Sequence, residues 1–191
     1  HIVRVGDRYG IVFEHLEAKF SADYIRESSE HFESFLKRSV DLMKSIHAIE
    51  AEPDELPDMK QQTLSWLPKV QEFLPETLYS KLCDFVDTIP DRNTIIHSDF
   101  HMNNILICGD ELMLIDMDTL STGDPIFELA TVFVSYRQFP SIEPKAAYML
   151  GIDVETAAKI CDRIFELYLG ESNEETLLDV KNTAQLLGCI R

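Results

Sequence analysis

The sequence predicts an α+β domain that is mostly helical and carries a small β-hairpin inset. Three observations point there. Apolar residues recur at three- and four-residue steps over most of the chain, β-rich runs cluster between Asn93 and Asp118, and 45% hydrophobic residues in 191 positions are enough to bury a sizeable core.

The chain opens on two strand-like runs, residues 2 to 5 and 9 to 16, with Gly6-Asp7-Arg8 as the turn between them. From His31 to Glu50 the positions Phe32, Phe35, Leu36, Val40, Met43 and Ile46 describe one buried face of a long helix. The acidic, proline-bearing stretch AEPDELPD, residues 51 to 58, reads as an exposed connection. Helices resume over 59–73 and 76–88, separated by Pro75.

The period then changes. Thr94 to Ile96, Ile105 to Cys108 and Leu112 to Ile115 read as short strands, the last two joined through Gly109-Asp110-Glu111. Gly123-Asp124-Pro125 starts a helix, because Asp124 can cap free backbone amides and Pro125 suits the first helical position. Helices over 143–150, 154–169 and 173–188 complete the chain, without repeats.

Composition excludes several functions. With 17 basic against 34 acidic residues the net charge is -17, so nucleic acid and anionic membrane surfaces are unfavourable partners. No run approaches the roughly 18 apolar residues of a membrane span, and no signal segment opens the chain. Cys83, Cys108, Cys161 and Cys189 have neither CxxC nor metal-ligand spacing, which suits reduced thiols in the cytoplasm.

Chemistry concentrates in IIHSDFHMNNILICGDELMLIDMD, residues 95 to 118. His97, Asp99 and His101 fall in a loop between strands, where a rigid scaffold can hold polar side chains over a cleft. If the hairpin pairs symmetrically around Asp110, Asn104 stands opposite Asp116, and directly opposed Cβ atoms lie about 4.5–5.5 Å apart, close enough to share a cation. A tighter two-residue turn shifts that register by one. An amide oxygen and a carboxylate are hard ligands that suit Mg2+ held jointly with substrate phosphates. Asp99 is left to orient a substrate hydroxyl and accept its proton.

These motifs resemble the aminoglycoside phosphotransferase and choline kinase-like family. His97-Ser98-Asp99 through Asn104 matches its HxDxxxxN loop, Leu114-Ile115-Asp116 its following metal-binding aspartate, and GDPIFELA, residues 123 to 130, its GDPxxDLA segment. The resemblance extends with falling specificity from residue 9 to 137. It implies a protein-kinase-like catalytic lobe, with Asp99 as base and Asn104 and Asp116 as Mg2+ ligands. Residues 9 to 16 then resemble the hinge strand that receives the base of ATP or GTP, through Glu14, His15 and Leu16. The resemblance divides the chain into residues 1–18, the end of an N-terminal lobe and its hinge, and 19–191, the helical catalytic lobe. The glycine-rich loop and lysine of a nucleotide-clamping lobe are not among these residues.

The chain departs from the family at Ser98, commonly Gly, at Met102-Asn103, commonly Pro-Gly, and at Glu128, commonly Asp. Asn103 tolerates positive φ and is expected to make the turn. The longer Glu128 is expected to brace the catalytic loop less well than the family's aspartate.

His97 reads as a buried scaffold residue bonding backbone rather than as a base, and His47 as a satisfied core histidine. His101 has two readings, contact with substrate and packing of the loop. Asp118 likewise reads as a second metal contact or as a solvated turn residue. The function expected is transfer of a nucleotide γ-phosphate to a hydroxyl or amine of a small molecule, an aminoglycoside-, choline- or sugar-like acceptor that the acidic surface would favour if cationic. The alternative is a non-catalytic module that binds metal or nucleotide without turnover; metal-assisted hydrolysis is a weaker third.

Overall fold

A computed structural model describes residues 2–191. His1, the first residue of the segment 1–18 set apart above, lies outside the described residues.

Strands β1 (Ile2–Val5) and β2 (Arg8–Ile11) pair antiparallel, Val5 opposite Arg8. The turn is the two residues Gly6-Asp7, made possible by Gly6 at φ 63°. The expected strand over 9–16 therefore stops at Ile11. Ladder pairing ends at Ile2↔Ile11, and residues 12–18 run on without regular structure.

Strand β3 (Lys19–Phe20) leads into α1 (Ser21–Glu27) and α2 (Ser29–His47). Ser28 caps α2 by accepting the His31 N–H at 3.0 Å, and Phe35, Leu36, Val40 and Met43 bury the face predicted from their spacing. Asp58 caps α3 (Met59–Gln71) through the Gln61 N–H at 2.7 Å, and α4 (Glu76–Thr88) follows beyond Pro75.

The β island consists of β4 (Ile95–Ile96), β5 (Ile105–Cys108), β6 (Glu111–Leu114) and β7 (Ser121–Thr122). Strands β3, β5 and β6 form one antiparallel sheet in that order, and β4 pairs with β7. The β5–β6 hairpin takes the tighter register. Cys108 faces Glu111 across Gly109-Asp110, with Gly109 at φ 59°, so Ile105 faces Leu114. The symmetric pairing around Asp110 is thus corrected by one residue.

Helix α5 (Ile126–Phe133) runs directly into a π-helical turn at Val134–Gln138 and then α6 (Phe139–Ile142) and α7 (Lys145–Met149). Asp124 accepts the Ile126 N–H at 3.0 Å, as its capping role requires. Asp153 and Asn173 cap α8 (Val154–Leu169) and α9 (Glu174–Gly188), each accepting an N–H at 2.7 Å.

One core joins these elements. Phe35, Leu36 and Met43 of α2 meet Ile96, Phe100, Met102 and Ile105 of the β island and Ile160 and Phe165 of α8. Each such side chain contributes about 1.5–3 kcal/mol when taken fully from water. Helix α9 closes the fold against α5 and the π-helical turn that follows it, so tightly that a Cβ at Gly188 would lie 2.8 Å from Val134 Cγ2 of that turn.

Candidate active site

The loop between β4 and β5 is anchored by alternation. Phe100 and Met102 are each 1% exposed and plug into the core, so Asp99 and His101 point the other way. The two outward side chains meet, with His101 Nε2 3.4 Å from Asp99 Oδ2. Asn104 closes the group: its Nδ2 donates to Asp99 Oδ2 at 3.0 Å and to Asp99 O at 2.9 Å. Both amide hydrogens of Asn104 are spent on Asp99, which leaves its side-chain carbonyl oxygen free to accept.

Hydrogen bonding from His101 holds the Asp99 carboxyl below its usual range, against the opposing effect of burial, with further help from the His101 charge, Asn104 and Arg191. A carboxylate kept ionised in a half-open loop can receive a proton.

Asp116 arrives by a different geometry from the one expected. Asn104 faces Ile115, whose N–H donates to Asn104 O at 2.9 Å, and Asp116 lies one residue further on. Asp116 adopts φ 65°, which ends the strand and starts a 3-10 turn at Met117–Thr119. No hydrogen bond joins Asn104 to Asp116 among the described residues. Their common neighbour is Asp99: Asn104 bonds it, and its charge helps to raise the pKa of Asp116. The larger cause of that rise is the adjacent Asp118 carboxyl. Asp118 is therefore the partner of Asp116, although both are exposed. An aspartate whose pKa is raised by neighbouring carboxylates is a group that a cation would relieve.

Glu128 overturns one expectation. It is 1% exposed, and its Oε2 accepts the backbone N–H groups of His97 at 2.6 Å and Ser98 at 3.2 Å. The longer side chain thus braces the loop through both amides. Behind it, His47 Nε2 stands 3.7 Å from Glu128 Oε2, near but beyond hydrogen-bond reach, while His47 Nδ1 bonds the Tyr168 hydroxyl at 2.8 Å.

Ser98 stands at φ 66°, the left-handed region that favours the family's glycine. Asn103 does not: the turn at Met102–Asn104 is 3-10, closed by Asn104 N–H to His101 O at 2.9 Å, and needs no positive φ there. Asn103 Nδ2 instead donates to Met149 O at 3.0 Å. His97 is a scaffold residue, fully buried, with Nε2 3.1 Å from Ile115 O.

Two contacts escaped the sequence reading. Met102 N–H donates to the Tyr136 hydroxyl at 2.7 Å, and Thr119 Oγ1 donates to His97 O at 2.8 Å. Both join residues 22 to 34 positions apart, and no local pattern marks them. The predicted hinge residues Glu14, His15 and Leu16 lie in the irregular segment, Glu14 and His15 exposed and Leu16 half-buried, and no hydrogen bond or ion pair among the described residues ties them to Asp99. A cavity of about 730 Å³ lies behind the loop, lined by His47, Tyr168, Arg92 and Asp124, but Asp99 does not line it.

An outward aspartate bonded to an asparagine five residues on, beside a second aspartate that ends a strand, defines a centre suited to handling phosphate groups through a hard cation. The chain belongs to the phosphotransferase enzyme family, whose profile matches residues 7–158. This agrees with the aminoglycoside phosphotransferase and choline kinase-like resemblance of its motifs. No curated protein matches the chain. No helix among the described residues is long and apolar enough to cross a membrane.

Proposed function

We propose that the protein transfers the γ-phosphate of ATP or GTP to a hydroxyl or amine of a small molecule. The observation that carries this reading is the Asp99–Asn104 bond at 3.0 Å, with Asp99 held ionised and facing out of the loop. Asp99 accepts the proton of the acceptor hydroxyl as its oxygen bonds the γ-phosphorus. The bond from that phosphorus to the bridging oxygen breaks, and the nucleoside diphosphate leaves with the electron pair.

Asn104 Oδ1 and the Asp116 carboxylate are the ligands that would hold Mg2+, with Asp118 beside them. Among the described residues no three His, Cys, Asp or Glu side chains converge as a metal cage. That fits Mg2+, which usually takes one or two protein ligands together with water and substrate phosphates. When bound, the ion would neutralise charge on the phosphates and draw apart the repulsion between Asp116 and Asp118.

Glu14, His15 and Leu16 would receive the nucleotide base along their backbone, and four free cysteines suit the cytoplasm. The course of residues 12–18 outside any helix or strand also favours a second reading, a module that binds metal or nucleotide weakly without turnover. The two separate on one experiment. Full-length protein with Mg·ATP or Mg·GTP and a broad acceptor panel gives transfer that Asp99→Asn abolishes under the first reading, and none under the second.

A further inference from the structure

Arg191 follows α9, and its guanidinium reaches α5 at Thr131, whose hydroxyl in turn bonds the catalytic loop. Its Nη1 donates to Thr131 Oγ1 at 2.5 Å, and Thr131 Oγ1 lies 3.4 Å from Ser98 O, the carbonyl that precedes Asp99. The close approach of α9 to α5 at Gly188 puts it there.

Beside Arg191 opens a cleft of about 320 Å³, walled by Trp66, Lys69 and Phe73 of the α3 end. Phe73 is 75% exposed, so an apolar wall stands uncovered. No Asp or Glu lines the cleft, and among the described residues neither Lys69 nor Arg191 has an ion-pair partner. In a chain of net charge -17 this is a reversal of sign. The distributed negative charge is screened over about 8–10 Å at ordinary salt, whereas a ligand in the cleft meets the two cations at contact distance. The local field decides what binds there.

We propose that this cleft is the outer end of the acceptor site and that the acceptor is a hydroxylated organic carboxylate with an apolar or aromatic body. The carboxylate seats on the guanidinium fork of Arg191 and on Lys69. The body lies between Trp66 and Phe73, and the hydroxyl extends toward Asp99. This rests on the phosphotransferase reading and narrows its acceptor class, against the expectation of a cationic one.

Trp66 is the single tryptophan of these 191 residues, so its fluorescence, taken as the difference from Trp66→Phe, reports on the cleft without any turnover. Full-length protein is titrated with 4-(hydroxymethyl)benzoate and with its cationic counterpart 4-(hydroxymethyl)benzylamine. The expected result is a saturable Trp66 response to the benzoate, at least about tenfold weaker for the amine and about tenfold weaker in Arg191→Gln or Lys69→Gln. Equal or tighter binding of the amine, no saturation by the benzoate into tens of millimolar, or an unchanged response in Arg191→Gln overturns the proposal. Phosphate transfer to a cationic acceptor alone would sink this inference and leave the phosphotransferase reading standing. A selective benzoate response in a protein that transfers phosphate to no acceptor would sink the phosphotransferase reading, and with it the acceptor role of the cleft, while leaving the cleft's preference for carboxylates standing.

Discussion

Glu128 holds His97 by its backbone, with Oε2 2.6 Å from the His97 nitrogen, and both residues are almost wholly buried. The same oxygen takes the Ser98 N–H, so one carboxylate on α5 fixes the two residues that lead into Asp99. Removing an acceptor from two buried donors leaves them without partners, which costs about 1–3 kcal/mol each time. Glu128→Ala should lower stability by at least about 2 kcal/mol, and Glu128→Asp by about 1–2 kcal/mol because the shorter chain pulls back from both amides. Urea unfolding checks this. An unchanged midpoint in Glu128→Asp would mean that the backbone shifts freely to follow the family's residue.

Ser98 supplies a prediction of opposite sign. It sits at φ 66°, and its buried hydroxyl has no hydrogen-bond partner. Left-handed backbone costs a non-glycine residue about 1–2 kcal/mol, partly offset by the greater freedom of glycine in the unfolded chain. Ser98→Gly should stabilise the protein by about 1 kcal/mol, a rise in Tm of about 2–4 °C for a chain of this size. A fall in Tm would show that the hydroxyl contributes a contact this geometry lacks.

Asp99 links the site to pH. Its carboxyl is held below the ordinary value of 3.8, chiefly by His101, so the folded state gains from its ionisation above that ordinary value and loses the gain as pH falls through the lowered one. The acid limb of activity should therefore lie below the range of an isolated carboxylate. His101→Ala should move that limb upward. The Asp99 carboxyl carbon, followed by NMR against pH, measures the shift directly, and an unmoved titration would show that His101 does not set it.

The tight seam between α9 and the π-helical turn that follows α5 gives a fourth expectation. A Cβ at Gly188 would fall 2.8 Å from Val134 Cγ2 and 3.0 Å from Gln138 Oε1. Gly188→Ala should destabilise by about 1–3 kcal/mol through overpacking, where alanine in an exposed helix would stabilise. Thermal unfolding decides the sign.

Much of this architecture was legible because it is local. The apolar stripe of α2 and the cap at Asp124 depend on neighbours two to four residues away. The loop from His97 to Asn104 was legible because its spacing is tied to one geometry. Turn type was not: whether Gly109-Asp110 closes two or three residues moves the whole ladder by one, and composition does not distinguish the cases. Strand β2 was read too long for a similar reason, since β-propensity at 12–16 counts only where a partner strand lies alongside. The reach of Glu128, the Tyr136 bond to Met102 and the return of Arg191 to Thr131 are set by how helices pack, and no residue pattern near them announces it.

The most direct test of the reaction centre is nucleotide turnover by full-length protein with Mg2+, comparing the wild type with Asp99→Asn and Asp116→Asn at matched Tm. The account predicts magnesium-dependent γ-phosphate release or transfer that falls by at least about 100-fold in each variant. Activity that survives both substitutions, or that runs equally well without magnesium, would contradict it.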